Sequence, residues 1–297
     1  MKGLPQRILV TGAHGLLGTA VCRLLRGLPG VELDAADLPE LDITRWDGLQ
    51  ARLQRTRPEL VINCAAYTAV DACETDEAAA VRVNATGAGL VARAAAEANA
   101  RLIHLSTDYV FSGSASTPYR EDQPPGPPEQ LTAYGRSKLL GEREVLSAHP
   151  AAVIVRTAWL YGPDGPGFPQ AILRKAVQEG RLRVVNDQRG SPTYAPDLAA
   201  ALVTLAGHPE AEGVFHITNA GECTWHDFAV ELVRRAGLDV PVIPVTTAEF
   251  PRPARRPAYS VLDNRRYNEL AGRPLRAWRE AAAEFLREHG DAVTPRR

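Results

Sequence analysis

The sequence predicts an α/β fold, a doubly wound parallel sheet followed by a smaller C-terminal α/β lobe. Three observations carry this. Over the first half, short apolar runs alternate with stretches of helical periodicity, the pattern of strands covered on both faces by crossover helices. A spaced glycine triplet, Gly12, Gly15 and Gly18, joins the first apolar run to the first helical stretch. After about residue 157 the alternation gives way to Gly/Pro punctuation and shorter strands.

Taken in order, Ile8–Val10 is the first strand and Leu16–Gly27 the first helix. Val31–Ala36 and Leu60–Cys64 are the next strands, and Ala78–Ala98 is a long Ala-rich helix. Arg101–Ser106 reads as a strand, Thr132–Leu146 as a helix and Ala152–Arg156 as a strand. Right-handed crossovers wind this order into a Rossmann-type sheet over residues 1–157, to which later segments return. Residues 158–297 are mainly a second lobe over the carboxyl edge of the sheet. There Leu182–Val185 and Val214–Thr218 read as strands, and Pro196–Leu205, Thr224–Ala236 and the amphipathic Leu275–His289 as helices. Thr224, with Asp227 three residues on, is a variant capping box. Pro124–Pro128 is a local rigid loop and Pro251–Pro257 a Pro/Arg-rich one.

Charge and composition narrow the function classes. The chain has 34 Lys and Arg against 35 Asp and Glu, so no nucleic-acid or membrane partner is expected. No apolar run approaches the ~20 residues of a membrane helix. The basic start runs into Ile8–Val10 without the apolar stretch of a leader, so a cytoplasmic location is expected. Cys22, Cys64, Cys73 and Cys223 form no C-x-x-C pair, and free thiols are expected. His104 reads as a core residue in a strand. His216 and His226 lack ligand spacing, and no metal site is expected.

The glycines form G-x-x-G-x-x-G directly between strand and helix. Such a loop turns the backbone amides of Gly12, Gly15, Leu16, Leu17 and Gly18 toward a pyrophosphate, and the helix N-terminus adds partial positive charge. His14, inside the loop, is placed to touch phosphate. The acid near the end of the second strand, Asp37, suits an adenosine ribose hydroxyl, with Asp34 as its rival. No Arg follows at once to hold a 2′-phosphate, which leans toward NADH while leaving NADPH open. Asp42 and Ile43 could frame the adenine. At the third strand's exit, Cys64, Ala65, Ala66 and Tyr67 would let the backbone lie against the cofactor.

Tyr134-Gly135-Arg136-Ser137-Lys138 is Y-x-x-x-K, which puts both functional side chains on one helix face. A free phenol has a pKa near ~10, and a neighbouring ammonium is expected to lower it into a useful range. The same Lys could bond the nicotinamide ribose. The fourth main-sheet strand ends at Ser106-Thr107, where a hydroxyl can bond a substrate carbonyl beside the Tyr. Together these groups suit reduction of a ketone.

Longer phrases carry a resemblance. They are Asn63–Asp71, Ser106–Phe111, Tyr134–Lys138, Arg156–Gly162, Asn186–Thr193 and Arg255–Leu262. In these the chain resembles the dTDP-4-dehydrorhamnose reductase family over nearly its whole length. The resemblance implies hydride transfer from NADPH or NADH to the 4-keto group of dTDP-4-dehydro-L-rhamnose, giving dTDP-L-rhamnose. It implies Thr107, Tyr134 and Lys138 as the catalytic set. Trp159 and the Arg256–Ser260 segment, Ser260 included, would help hold the sugar nucleotide, with Asp108 beside Thr107. Arg252, Arg255 and Arg256 are candidates for the diphosphate. The chain departs from many relatives at Thr132-Ala133, where they carry Asn. A metal at a dimer interface, used by some members, is not carried over, and a homodimer is a prior of the fold class. A 4,6-dehydratase of this scaffold would have Glu after Asp108, where this chain has Tyr109. A 4-epimerase, and a non-catalytic regulatory subunit of the same fold, are the remaining alternatives.

Overall fold

Five strands lie side by side in the computed structural model, which describes residues 3–293: β1 (Arg7–Thr11), β2 (Glu32–Ala36), β3 (Leu60–Asn63), β4 (Arg101–Thr107) and β5 (Val153–Thr157). A sixth, Gly213–His216, pairs with β5 in parallel, with Gly213 opposite Val153. The order across the sheet is β2-β1-β3-β4-β5 and then the sixth strand, and every pair is parallel. Side chains alternate between two cores, as strand periodicity requires. Ile8, Val10, Ile62, Leu105 and Val155 point to one core, and Leu9, Val61, Leu102 and Ile154 to the other. β3 and β5 are buried along their whole length because helices cover both faces. Strand order reverses between β1 and β3, which opens a crevice at the carboxyl ends of the strands.

Two segments from the second half return to this sheet. The helix Ala195–Ala206 packs on Leu16–Arg26, sharing a core of Val21, Leu25, Leu198 and Leu202. The strand expected at Val214–Thr218 is the sheet's sixth. The capping box is present: Thr224 and Asp227 bond each other's backbone amides at the start of Trp225–Arg235.

Several elements differ from expectation. A helix at Trp46–Thr56 was not anticipated. Neither was a strand at Val242–Val245, which Pro241 and Pro244 obscure; it pairs in parallel with Leu182–Val185. The single helix expected at Ala78–Ala98 is broken into Glu77–Val81, a π-helical turn at Arg82–Gly87, and Ala88–Glu97. The last helix starts at Trp278, not Leu275, because the preceding residues are drawn into extended pairing. Ala220 N–H donates to Arg276 O at 2.9 Å, and Trp278 N–H to Ala220 O at 3.0 Å. Among the described residues no helix is long and apolar enough to cross a membrane.

Candidate active site

The glycine loop leaves β1 and turns against the exit of β3. Gly12 has φ +66°, and a Cβ there would lie 2.5 Å from the Ala65 nitrogen, so only glycine closes this turn. Gly15 precedes the Leu16–Arg26 helix in an extended conformation and, having no side chain, leaves the first turn's amides uncapped. Those amides open onto a cleft of about 590 Å³, lined here by His14, Gly15, Leu16, Leu17 and Gly18. A helix start without its own cap, facing a cleft, suits an anionic phosphate.

The expected adenosine side is less exposed. Asp37 accepts hydrogen bonds from His14 N–H at 2.9 Å and Leu38 N–H at 2.8 Å, tying the glycine loop to the end of β2. Its rival Asp34 is paired with Arg52. Asp42 accepts from the Thr44 amide and hydroxyl, and these bonds hold its carboxyl below the usual range. Ile43 is 6% exposed and packs in the core beneath Trp46–Thr56. None of Asp37, Asp42 and Ile43 lines the cleft.

The cleft does gather Cys64, Ala66, Thr107, Asp108, Tyr134, Lys138 and Trp159 of the expected centre, whereas Ala65, Tyr67 and Ser260 do not line it. Thr132 caps the helix Ala133–Ala148 through Gly135 N–H at 3.0 Å, setting Tyr134 and Lys138 in its first turns. Lys138 is buried and donates to Leu105 O at 2.6 Å. Burial brings its ammonium down to about 8, against the pull of the Glu142 carboxylate.

Burial pushes the Tyr134 phenol up, against the pull of the Thr107 hydroxyl. The Lys138 ammonium gives one of its three donors to Leu105 O. Thr107 donates to Asp108 Oδ1 at 3.0 Å and accepts from Tyr109 N–H at 3.2 Å. Asp108 is buried, its Oδ2 has no partner, and desolvation raises its carboxyl to about 6 against the pull of the Ser260 and Thr107 hydroxyls.

The arginines lie outside the main cleft. Asp71 holds Arg256 at 3.0 Å and Arg252 at 3.4 Å. Arg256 Nη1 is buried without a partner, and Arg255 and Arg256 line a small adjoining hollow with Tyr109. Arg189 N–H bonds Ala258 O, and Ser260 N–H bonds Arg189 O, both at 2.8 Å, which joins the Arg255–Leu262 and Asn186–Thr193 phrases. The backbone of Ala65 and Tyr67 is held by asparagines: Asn63 Oδ1 accepts from Ala65 N–H at 3.1 Å, and Asn84 Oδ1 from Tyr67 N–H at 2.8 Å.

Asn84 is the site residue the sequence analysis missed. Its Nδ2 also donates to Tyr67 O and to Ser137 Oγ, each at 3.0 Å, and Ser137 donates to Tyr134 O at 2.8 Å. This buried amide couples the β3 exit to the helix that bears Tyr134. It sits in the π-helical turn, a distortion that apolar periodicity does not reveal. The only available signal was a lone Asn inside an Ala-rich stretch. Asp164, also missed, lines the cleft and pairs with Arg23 at 2.5 Å.

Comparison with known proteins places this geometry. A family model described as the RmlD substrate binding domain matches residues 6–290. A curated relative from Streptomyces antibioticus, a probable dTDP-4,6-dihydroxy-2-methyloxan-3-one 4-ketoreductase, is 47% identical over 94% of each chain. The chain is similar to a dTDP-4-dehydrorhamnose reductase structure from Clostridium acetobutylicum, with TM-score 0.91 and 42% identity over 96% of this chain and 99% of that one. It is also similar to one from Bacillus anthracis in complex with NADP, with TM-score 0.89 and 37% identity over 97% and 100%.

Proposed function

This chain belongs to the RmlD substrate-binding-domain family of dTDP-4-dehydrorhamnose reductases, and from that premise we propose that it reduces the 4-keto group of a dTDP-4-keto-6-deoxysugar, dTDP-4-dehydro-L-rhamnose, with NADPH or NADH. The observation that carries this is the shared cleft: an uncapped helix start at one end, and Thr107, Tyr134 and Lys138 beside it. The residues fit a dinucleotide, because the helix start at Leu16, Leu17 and Gly18 has no capping side chain and borders the cleft where a pyrophosphate would lie. In this reading residues 1–157 hold the cofactor and 158–297 mainly the sugar nucleotide.

A bound reduced nicotinamide supplies the hydride. The protein's own part is to orient the ketone and deliver a proton. Tyr134 is raised by burial, so it stands protonated at neutral pH, as a proton donor to the C4 oxygen must. Lys138, with its pKa near 8, is still a cation there. With its other donors it can hold the nicotinamide ribose and stabilise the phenolate that proton transfer leaves behind. Its help to Tyr134 is thus realised during the reaction rather than in the resting site. Thr107 polarises the same oxygen once its proton turns from Asp108 to the ketone, a turn that protonation of Asp108 favours. The diphosphate competes with Asp71 for Arg252 and Arg256, with Arg255 alongside. Asp37 is the acid nearest the loop for the adenosine ribose.

The test is direct. Mixing the protein with NADPH or NADH and dTDP-4-dehydro-L-rhamnose is expected to consume the reduced nicotinamide, followed by absorbance. No oxidation with either cofactor overturns the proposal. The Streptomyces relative is named for a different dTDP ketosugar, so a second such ketosugar in the same assay ranks the substrates by kcat/KM.

A pH limb should accompany turnover. Lys138 is charged below its lowered pKa, so kcat is expected to fall as pH rises through about 8. Lys138→Arg keeps the charge, and in whatever activity it retains the limb should move upward. A wild-type rate that stays level up to about pH 10, the range of an ordinary lysine, would remove Lys138 from this role.

A further inference from the structure

Trp159 is one of three non-glycine residues with positive φ among the described residues, at +48°. A bulky residue in that region is unusual and persists only where its surroundings hold it. Here they do so from two sides. The Trp159 indole lies flat on Trp225, with ring centroids 3.5 Å apart and planes 4° from parallel. The Gly190 backbone lies so close that a Cβ there would come within 2.4 Å of the Trp159 ring.

Both neighbours belong to one small antiparallel ribbon. Arg189–Gly190 pairs with Cys223–Thr224, Gly190 opposite Cys223, and Trp225 follows immediately. The ribbon is fixed at both ends. Thr224 Oγ1 donates to Asn186 Oδ1 at 2.7 Å, and Thr193 N–H donates to Trp159 O at 3.2 Å. Phe168 packs on the Trp225 ring at 4.6 Å. Trp159 borders the cleft that holds Tyr134, whereas Trp225 and Gly190 do not reach it.

We infer that Gly190 and Trp225 are positioning residues that clamp the Trp159 indole on both faces, so that its remaining edge stands as a fixed wall of the sugar subsite. The inference rests on the ketosugar reading above. A preset wall spares the substrate the cost of ordering a large side chain. It also explains why this ribbon carries glycine at 190: any side chain would occupy the indole's place. The strained Trp159 backbone is then held by the stack together with the Thr193 N–H bond to its carbonyl.

The experiment compares wild type with Gly190→Ala, Trp225→Ala and Trp225→Phe. Wild-type turnover of the ketosugar is the control for the reductase reading, so its failure is separate from failure of the clamp. In Gly190→Ala the methyl must displace the ring. Its near-UV circular dichroism in the tryptophan band should change, and KM for the sugar nucleotide should rise about three- to tenfold, the worth of one aromatic contact. kcat and NAD(P)H affinity should stay near wild type. Trp225→Ala should act likewise, and Trp225→Phe, which keeps a stacking face, should recover most of the KM. The clamp is overturned if Gly190→Ala leaves the dichroism unchanged, or if the dichroism changes while KM does not.

Discussion

Tyr134→Phe is expected to lower kcat by about 10²–10⁴-fold, the worth of a positioned general acid, while leaving cofactor affinity unchanged. The ring's surroundings make this a clean removal. Tyr134 is buried against Cys73, Ala80 and Ala133, and Tyr109 meets it edge-on at 5.6 Å, so Phe keeps that packing. Lys138 is anchored on Leu105 O and the helix on its Thr132 cap, neither through the phenol. What is lost is the proton for the C4 oxygen. Cofactor binding by fluorescence and turnover by absorbance measure the two halves separately. Turnover within about tenfold of wild type would move the proton donor elsewhere, whereas a fall of about 100-fold in cofactor affinity would make Tyr134 a binding residue instead.

The second large effect is on stability. Glu142→Ala is expected to cost about 3–5 kcal/mol, because it strands a buried cation. Arg156 and Glu142 form a two-pronged pair at 2.8 and 2.7 Å with side chains only 4% and 5% exposed, and Ser106 Oγ donates to the same carboxylate at 2.5 Å. The guanidinium has little else to turn to: His216 Nε2 is 3.5 Å away, and burial and the Arg156 charge together bring that imidazole down to about 3. For a chain of this length the loss corresponds to a drop in Tm on the order of 10 °C. Replacing both partners by leucine should recover part of it, since an apolar pair leaves no unpaired charge. Thermal and urea melts of the single and double variants decide the point. A Glu142→Ala protein within about 1 kcal/mol of wild type would mean that water reaches Arg156 after all. Glu142 lies one turn beyond Lys138, so this pair also braces the helix that carries the site.

Much of the main sheet was readable in advance, because its strands are short, apolar and separated by helices of matching period. The glycine loop was readable for a similar reason. Its function depends on backbone amides and on the absence of Cβ atoms, and both are properties of consecutive residues. Tyr134 and Lys138 were legible because four residues on a helix set one face. The elements that escaped were those whose signal comes from elsewhere in the chain. Val242–Val245 is a strand only because Leu182–Val185 pairs with it, and the last helix starts late because Ala220 claims the residues before it.

By itself, then, the sequence determined the sheet, the loop at its carboxyl edge and a Tyr and a Lys on one helix face, since each follows from local periodicity or spacing. Only the tertiary structure decided how those residues are engaged. Lys138 is bonded to Leu105 O, Asp71 lies between Arg252 and Arg256, Ile43 is in the core, and Asn84 ties the β3 exit to the Tyr134 helix. Trp159 is held between a glycine and a second tryptophan far along the chain. The reason is physical: the charge state and orientation of a buried group depend on burial and on partners 17 to 185 residues away, and no sequence period encodes those distances.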